Sequence, residues 1–139
     1  MYSIDAERAV LGSCMIDRVA LDEAMDKLTV DDFSTANKNV FRVIRRLYEK
    51  NETVDAITVS ERLQGNPIEF TVELATSVPT TQNAPHYIKI VRDCSQRRKL
   101  HELGVQLQSQ SVDINIDIEA IVDFAEKEAL SVNIQDNSI

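Results

Sequence analysis

Apolar residues recur along most of this chain at helical spacing. After Ser3 and Asp5, either of which can cap a helix, come Ala6, Ala9, Val10, Leu11, Cys14, Met15 and Ile16. That stripe is wide, as expected of a helix buried on more than one side. A short second helix is predicted over Ala20 to Lys27, with Leu21, Ala24, Met25 and Leu28 inward. Thr29-Val30-Asp31-Asp32 predicts a capped turn that delivers Phe33 into the core as a plug. The third helix, from about Ala36 to Lys50, has the clearest stripe: Val40, Phe41, Ile44, Leu47 and Tyr48. Val54, Ala56 and Ile57 are expected to be extended. Thr58-Val59-Ser60-Glu61 then fits the capping-box pattern that opens a fourth helix, which Gly65-Asn66-Pro67 ends. Phe70 to Ser77 predicts a fifth short helix with Phe70, Leu74 and Ala75 inward. Asn83 and Pro85 are suited to the start of a sixth, where proline's missing N–H has no helical partner to lose.

The sixth helix, from about Ala84 to Ser109, carries two apolar stripes. At about 100° per residue from Tyr87, Ile90, Val91 and Cys94 cluster with it near roughly 350°, whereas Leu100, Leu103 and Leu107 cluster near roughly 200°. One helix cannot bury both stripes against one partner. Its first half is expected to close a globular head and its second half to project. A turn over Asp113 to Asp117 and a seventh helix to Leu130, with Ile118, Ile121, Val122, Ala125 and Ala129 on one face, supply the partner. Helices joined by a short loop pack antiparallel. The predicted fold class is therefore all-α: a small multi-helix head (residues 3–97), an antiparallel helical hairpin (98–131) and a flexible tail or start of a linker (132–139). A bare hairpin buries little, and Val105, Val112, Phe124 and Leu130 remain on its outer faces. It is expected to dimerise through Leu100, Leu103, Leu107, Ile118, Ile121, Val122 and Ala125, the alternative being that it folds back on its own head.

Composition agrees. The 139 residues include only three glycines and three prolines, and aromatic residues make up 5%, so the core is aliphatic and long helices are favoured over turns. The net charge of −8 gives no overall attraction to nucleic acid, so no strong direct DNA binding is expected. Cys14 and Cys94 are far apart and are expected to be reduced thiols in a cytoplasmic protein. The N-terminus lacks the pattern of a signal peptide, and no apolar run suggests a membrane span.

Catalytic patterns are missing from the sequence. There is no G-x-x-x-x-G-K-[ST] phosphate loop, and Gly12, Gly65 and Gly104 are isolated. His86 and His101 lack the spacing of a metal site, and no nucleophile has a base at a meaningful spacing. No catalytic residue, metal ligand or cofactor is assigned. Two basic clusters stand out. Arg42, Arg45, Arg46 and Lys50 are expected to be a solvated helix face. Arg92, Arg97, Arg98 and Lys99 sit where the sixth helix leaves the head and are candidates for contact with a partner.

Three stretches resemble the N-terminal domain of DnaB-type replicative helicases. The first is Asp5-Ala6-Glu7-Arg8-Ala9-Val10-Leu11-Gly12-Ser13. The second runs through Asp31-Asp32-Phe33, Val40-Phe41, Leu47-Tyr48 and Val54-Asp55-Ala56-Ile57-Thr58. The third is Val78-Pro79-Thr80-Thr81-Gln82-Asn83-Ala84 with Tyr87, Ile90-Val91-Arg92 and Arg97-Arg98. The resemblance implies a head-plus-hairpin domain that forms a collar of paired hairpins, supports assembly of a hexameric ring and docks primase and helicase loaders during DNA replication. It also implies that ATP and Mg²⁺ belong to a C-terminal RecA-like motor, so that this segment is not itself an enzyme, and that the protein works in the cytoplasm of a bacterium or an infected host cell. The connection Gln64-Gly65-Asn66-Pro67-Ile68-Glu69 is shorter than the family's usual stretch, a departure compatible with a phage or mobile-element member. Alternatives are a stand-alone phage-type adaptor or inhibitor that mimics this domain and binds a host helicase or primase, and an unrelated helical interaction protein. The helicase-binding domain of a primase shares the design, but the opening Ala6 to Gly12 argues against it.

Overall fold

The computed structural model describes residues 1–133, and among these every regular element is helical. Helix α1 (Ile4–Ile16) starts at Ser3, whose hydroxyl accepts the Ala6 N–H at 3.4 Å. It runs through the centre of the head, against α2 (Arg18–Lys27), α3 (Thr35–Glu49), α5 (Ile68–Thr76) and α6 (Ala84–Ser111). This central position explains its wide stripe: Ala6, Val10, Leu11, Cys14 and Met15 are all buried. A β-carbon at Gly12 would collide with the Leu74 carbonyl and the Val78 side chain, so α1 and α5 approach as closely as they do only because this residue has none.

Asp17 ends α1 and caps α2, accepting the Val19 N–H at 3.1 Å, so α2 begins two residues before the expected Ala20. The turn after α2 is a short 3₁₀ helix, Val30–Asp32, closed by Thr29 N–H donating to Asp32 Oδ2 at 2.7 Å. Phe33 leaves it fully buried and stacks on Phe41 of α3 with ring centroids 4.3 Å apart. The start of α3 is held from a distance. Glu7, buried in the first turn of α1, accepts from the Ser34 N–H at 3.1 Å, the Ser34 hydroxyl at 2.7 Å and the Asn37 amide at 2.8 Å. A carboxylate at a helix N-terminus satisfies free N–H groups and complements the helix dipole.

One local expectation is corrected at α4 (Ala56–Arg62). Ala56 and Ile57 are helical rather than extended, and the cap is Asp55 rather than Thr58. The Asp55 carboxylate accepts both the Thr58 N–H (2.8 Å) and the Thr58 hydroxyl (2.9 Å), so Thr58 is the donor of the cap and not the cap itself. These bonds hold the Asp55 carboxyl below its ordinary pKa. Thr71 of α5 donates to the Ala56 carbonyl at 2.7 Å and ties the two short helices together.

Helix α6 faces the head through Ala84, Ile88, Val91, Arg92 and Ser95, with Tyr87, Ile90 and Cys94 on the flanks of that face. The centre of the face therefore lies to one side of the expected stripe. Ala84 and Ser95, small enough to pack closely, and Arg92, buried on internal partners, contribute little hydropathy but much of the contact. Further along, α6 packs against α7 (Ile118–Ser131) through Leu103, about a quarter turn round the helix from the head-facing side at 100° per residue. Of the stretch expected to be a tail, Val132 is buried, and Gln96 donates to its carbonyl and to the Asn133 side chain, both at 3.3 Å. The rest of that stretch, 134–139, lies outside the described residues.

Candidate interaction surface on the helical hairpin

The α6–α7 hairpin has a thin interior. Leu103, Ile121 and Val132 are 9, 8 and 7% exposed, and Gln96 closes the open end. At the tip, Asp113 Oδ1 accepts the Asn115 N–H at 3.0 Å, and the Ile116 N–H bonds back to the Asp113 carbonyl. All residues from Ser111 to Ala120 are exposed.

The seven apolar residues singled out from the sequence divide into two groups. Leu103 and Ile121 are buried between the two helices and hold the hairpin together. Leu100, Ile118 and Val122 are 50, 70 and 47% exposed, and Leu107 and Ala125 are half-buried at the edge. Helical geometry places the second group on one side. On α6, Leu100, Gly104 and Leu107 lie on average about 70° clockwise from Leu103, the residue that faces α7. On antiparallel α7, Ile118, Val122, Ala125 and Ala129 are displaced by a similar angle in the same sense. Because the two helices run in opposite directions, both displacements fall on one face of the hairpin. The result is a continuous apolar and small-residue surface on which none of the other described residues packs.

The basic cluster at the base of the hairpin also divides, and here the expectation needs correction. Arg92 is 7% exposed and donates to the Lys27 carbonyl at 2.9 Å. Arg98 donates to the carbonyls of Met1 (2.7 Å) and Asp32 (3.1 Å), and its guanidinium lies 3.8 Å from the Tyr2 ring centroid. Arg45 of α3, from the other basic cluster, donates to Met25 and Leu28 carbonyls. Three arginines thus occupy carbonyl oxygens at the C-terminal end of α2 and in the 3₁₀ turn, where the helix dipole is negative and carbonyls lack helical partners. Arg92 is therefore an internal strut and not a surface contact, and Arg98 is largely engaged. Arg97 is exposed and Lys99 half-buried, and both remain available to a partner.

Among the described residues no three His, Cys, Asp or Glu side chains converge as a metal site. Burial pushes the Cys14 thiol up to about 12, far from the range of a reactive thiolate. The Tyr48 hydroxyl donates to Asp22 at 3.0 Å, and that bond raises its pKa. Among the described residues no helix is long and apolar enough to cross a membrane.

A closed helical head carrying an open-faced hairpin defines the class of domain. Residues 1–93 match the family described as "DnaB-like helicase N terminal domain", and the chain belongs to that family. It is similar to the replicative DNA helicase DnaB of Geobacillus stearothermophilus (30% identity, 94% of this chain and 31% of the relative). It is also similar to that of Buchnera aphidicola (31% identity, 98% of this chain and 32% of the relative). The chain thus spans about a third of the length of these curated relatives. Among solved structures, the N-terminal domain of DnaB helicase from Mycobacterium tuberculosis superposes with a TM-score of 0.78 at 29% identity, covering 94% of this chain and 97% of that one. A DnaB-like replicative helicase, described with its interactions with primase, shares the fold with a TM-score of 0.77 at 24% identity, covering 98% of this chain and 32% of its own.

Proposed function

We propose that this domain is a collar and docking module of a replicative DNA helicase, in which the head (3–97) is the platform and the hairpin (98–131) is the element that joins one subunit to the next. The observation that carries this reading is the bare face of the hairpin. Leu100, Ile118 and Val122 are spread along it from base to tip, and each is between 47 and 70% exposed. The two helices bury so little between themselves that a second hairpin on this face would complete a four-helix bundle with a proper core. In the parent ring such pairs would repeat to a hexamer. Primase and a helicase loader are the further partners, and Arg97 and Lys99 are the basic contacts open to them. The description of the 24%-identical helicase together with primase supports the primase partner. ATP, Mg²⁺ and strand separation would belong to a C-terminal motor, and the setting would be the cytoplasm.

The test is mass in solution by light scattering across a concentration series. The chain is expected to self-associate, and Leu100→Asp with Val122→Asp is expected to leave a folded monomer. The two substitutions place charge on the outer face and leave Leu103 and Ile121 between the helices. A wild-type chain that remains monomeric at the highest concentrations would remove the reading. Binding to a primase's C-terminal domain, measured by calorimetry, tests the docking role separately.

A further inference from the structure

We propose that the outer ridge of α3, formed by Lys38, Arg42, Arg46 and Lys50, binds the phosphodiester backbone of a single nucleic-acid strand by charge alone, without reading its sequence. This inference stands apart from the hairpin and from the docking role proposed above.

The ridge is a local exception in an acidic chain. The whole chain carries a net charge of −8, yet Thr35 to Lys50 hold Lys38, Arg42, Arg45, Arg46 and Lys50 against a single acidic residue, Glu49. Helical geometry sets where they stand. Val40, Phe41, Val43, Ile44 and Leu47 are buried. At about 100° per residue, Arg42 lies opposite the centre of that buried face. Lys38 is about 40° to one side of it, and Arg46 and Lys50 are about 40° and 80° to the other. Steps of four residues separate the four cations, so the ridge runs about 18 Å along the helix. Its backbone is held in place, by the core on the inner face and by Glu7 at the first turn. A surface ordered beforehand loses less entropy when it binds.

Pairing sets these residues apart from the cations of α1, α2 and α4. Arg8, Arg18, Lys27 and Arg62 each meet a carboxylate at 2.9–3.2 Å. On α3 itself, Arg45 turns to the Met25 and Leu28 carbonyls and has Glu49 at 3.9 Å. Lys38, at the start of the ridge, lies 3.9 Å from Asp31. Arg42 has the neutral Asn39 side chain as its partner. Among the described residues Arg42, Arg46 and Lys50 form no ion pair. Like charges four residues apart weaken a helix, and an anionic ligand relieves that repulsion.

The other residues of the ridge indicate the kind of anion. Thr35, Ala36, Asn39 and Glu49 are exposed there, and no large apolar or aromatic side chain stands among them. Protein partners are held chiefly by buried aromatic or aliphatic anchors, and base stacking needs an aromatic platform. The ridge offers neither. Cations at a regular interval suit a polyanion of regular charge, and phosphate contacts position a strand without specifying its sequence. A single strand is flexible enough to follow a straight ridge, whereas the backbone of a duplex curves away from it.

Fluorescence anisotropy of a labelled oligothymidylate, titrated with the 139-residue chain at low ionic strength, tests the ridge. Saturable binding is expected, with log K falling against log salt at a slope between about −2 and −3, the value for three or four phosphates on a single strand. Arg42→Glu with Arg46→Glu is expected to weaken binding by about tenfold or more and to flatten that slope. Arg18→Glu with Lys27→Glu makes the same change of net charge on α2 and is expected to alter binding by less than about twofold. Circular dichroism checks the fold of both variants, and Arg42→Gln with Arg46→Gln replaces the first pair if charge reversal unfolds it. Three outcomes would overturn the proposal. No binding by the wild type removes the site. Equal losses in the α2 and α3 variants make the effect one of net charge. Equally tight binding of a polyglutamate of the same charge makes the ligand any polyanion rather than a phosphodiester strand.

Discussion

The head and the hairpin are built from the same aliphatic vocabulary but are finished to different degrees. In the head, Phe33, Phe41, Ile44 and Leu74 are fully buried, and buried polar groups such as Glu7 have partners on distant elements. In the hairpin the best-covered apolar residues are still 7 to 9% exposed, and most of the others are half exposed or more. A head with a closed core can be stable by itself. A hairpin with a thin core leaves apolar surface in solvent. The difference separates a part of the molecule that is closed on itself from a part with an open apolar face.

The largest expected effect tests this contrast directly. Phe41→Ala should destabilise the domain by about 3–5 kcal/mol, because it removes a stacked ring from a filled core. Leu103→Ala should cost about 2 kcal/mol or less and act locally, raising hydrogen exchange in α6 beyond Arg98 while the head's urea midpoint changes little. If both substitutions lowered the global midpoint equally, hairpin and head would be one cooperative unit and the contrast would fail. Next in size is Glu7→Ala, expected to cost about 2 kcal/mol by leaving the Ser34 and Asn37 donors without their acceptor in the interior. Glu7→Gln, which retains an oxygen at the same place, should recover a good part of that in the same urea titration.

The smallest effect sharpens the head's side of the comparison. Asp55→Ala removes the cap of α4 and should cost about 1 kcal/mol at neutral pH. The Asp55 carboxyl is held below its ordinary pKa by the Thr58 bonds. Its contribution is therefore complete above the ordinary carboxylate value and is lost as the pH falls through the lowered folded value. Urea midpoints measured downward from neutral pH should show a decline in the wild type below about pH 4 that is shallower in Asp55→Ala.

Much of the fold was legible because helices announce themselves locally. The stripe Val40, Phe41, Ile44 and Leu47 marks α3, and Ser3 and Asn83-Pro85 mark the starts of α1 and α6. The α4 start was misplaced because Thr58-x-x-Glu61 and Asp55-x-x-Thr58 are competing caps three residues apart, and the stronger acceptor won. The candidate surface was legible as a stripe but not as a division. Leu100 and Leu103 have the same hydropathy, and only the position of α7 decides that one is buried and the other is bare.

The sequence by itself determined the class of the molecule: seven amphipathic segments, their order, most of their ends and the change of face in α6. Each of these depends on residues three or four positions apart, whose mutual placement a helix fixes before any tertiary contact forms. The tertiary structure alone decided the fate of the charges. Glu7 meets Ser34 and Asn37, Arg92 meets Lys27, and Arg98 meets Met1 and Asp32. These partners lie 27 or more residues away along the chain. No local period can bring such groups together; only the packing of one helix against another does so, and it makes Arg92 of an apparent basic patch an internal strut and engages Arg98 at the edge of the head.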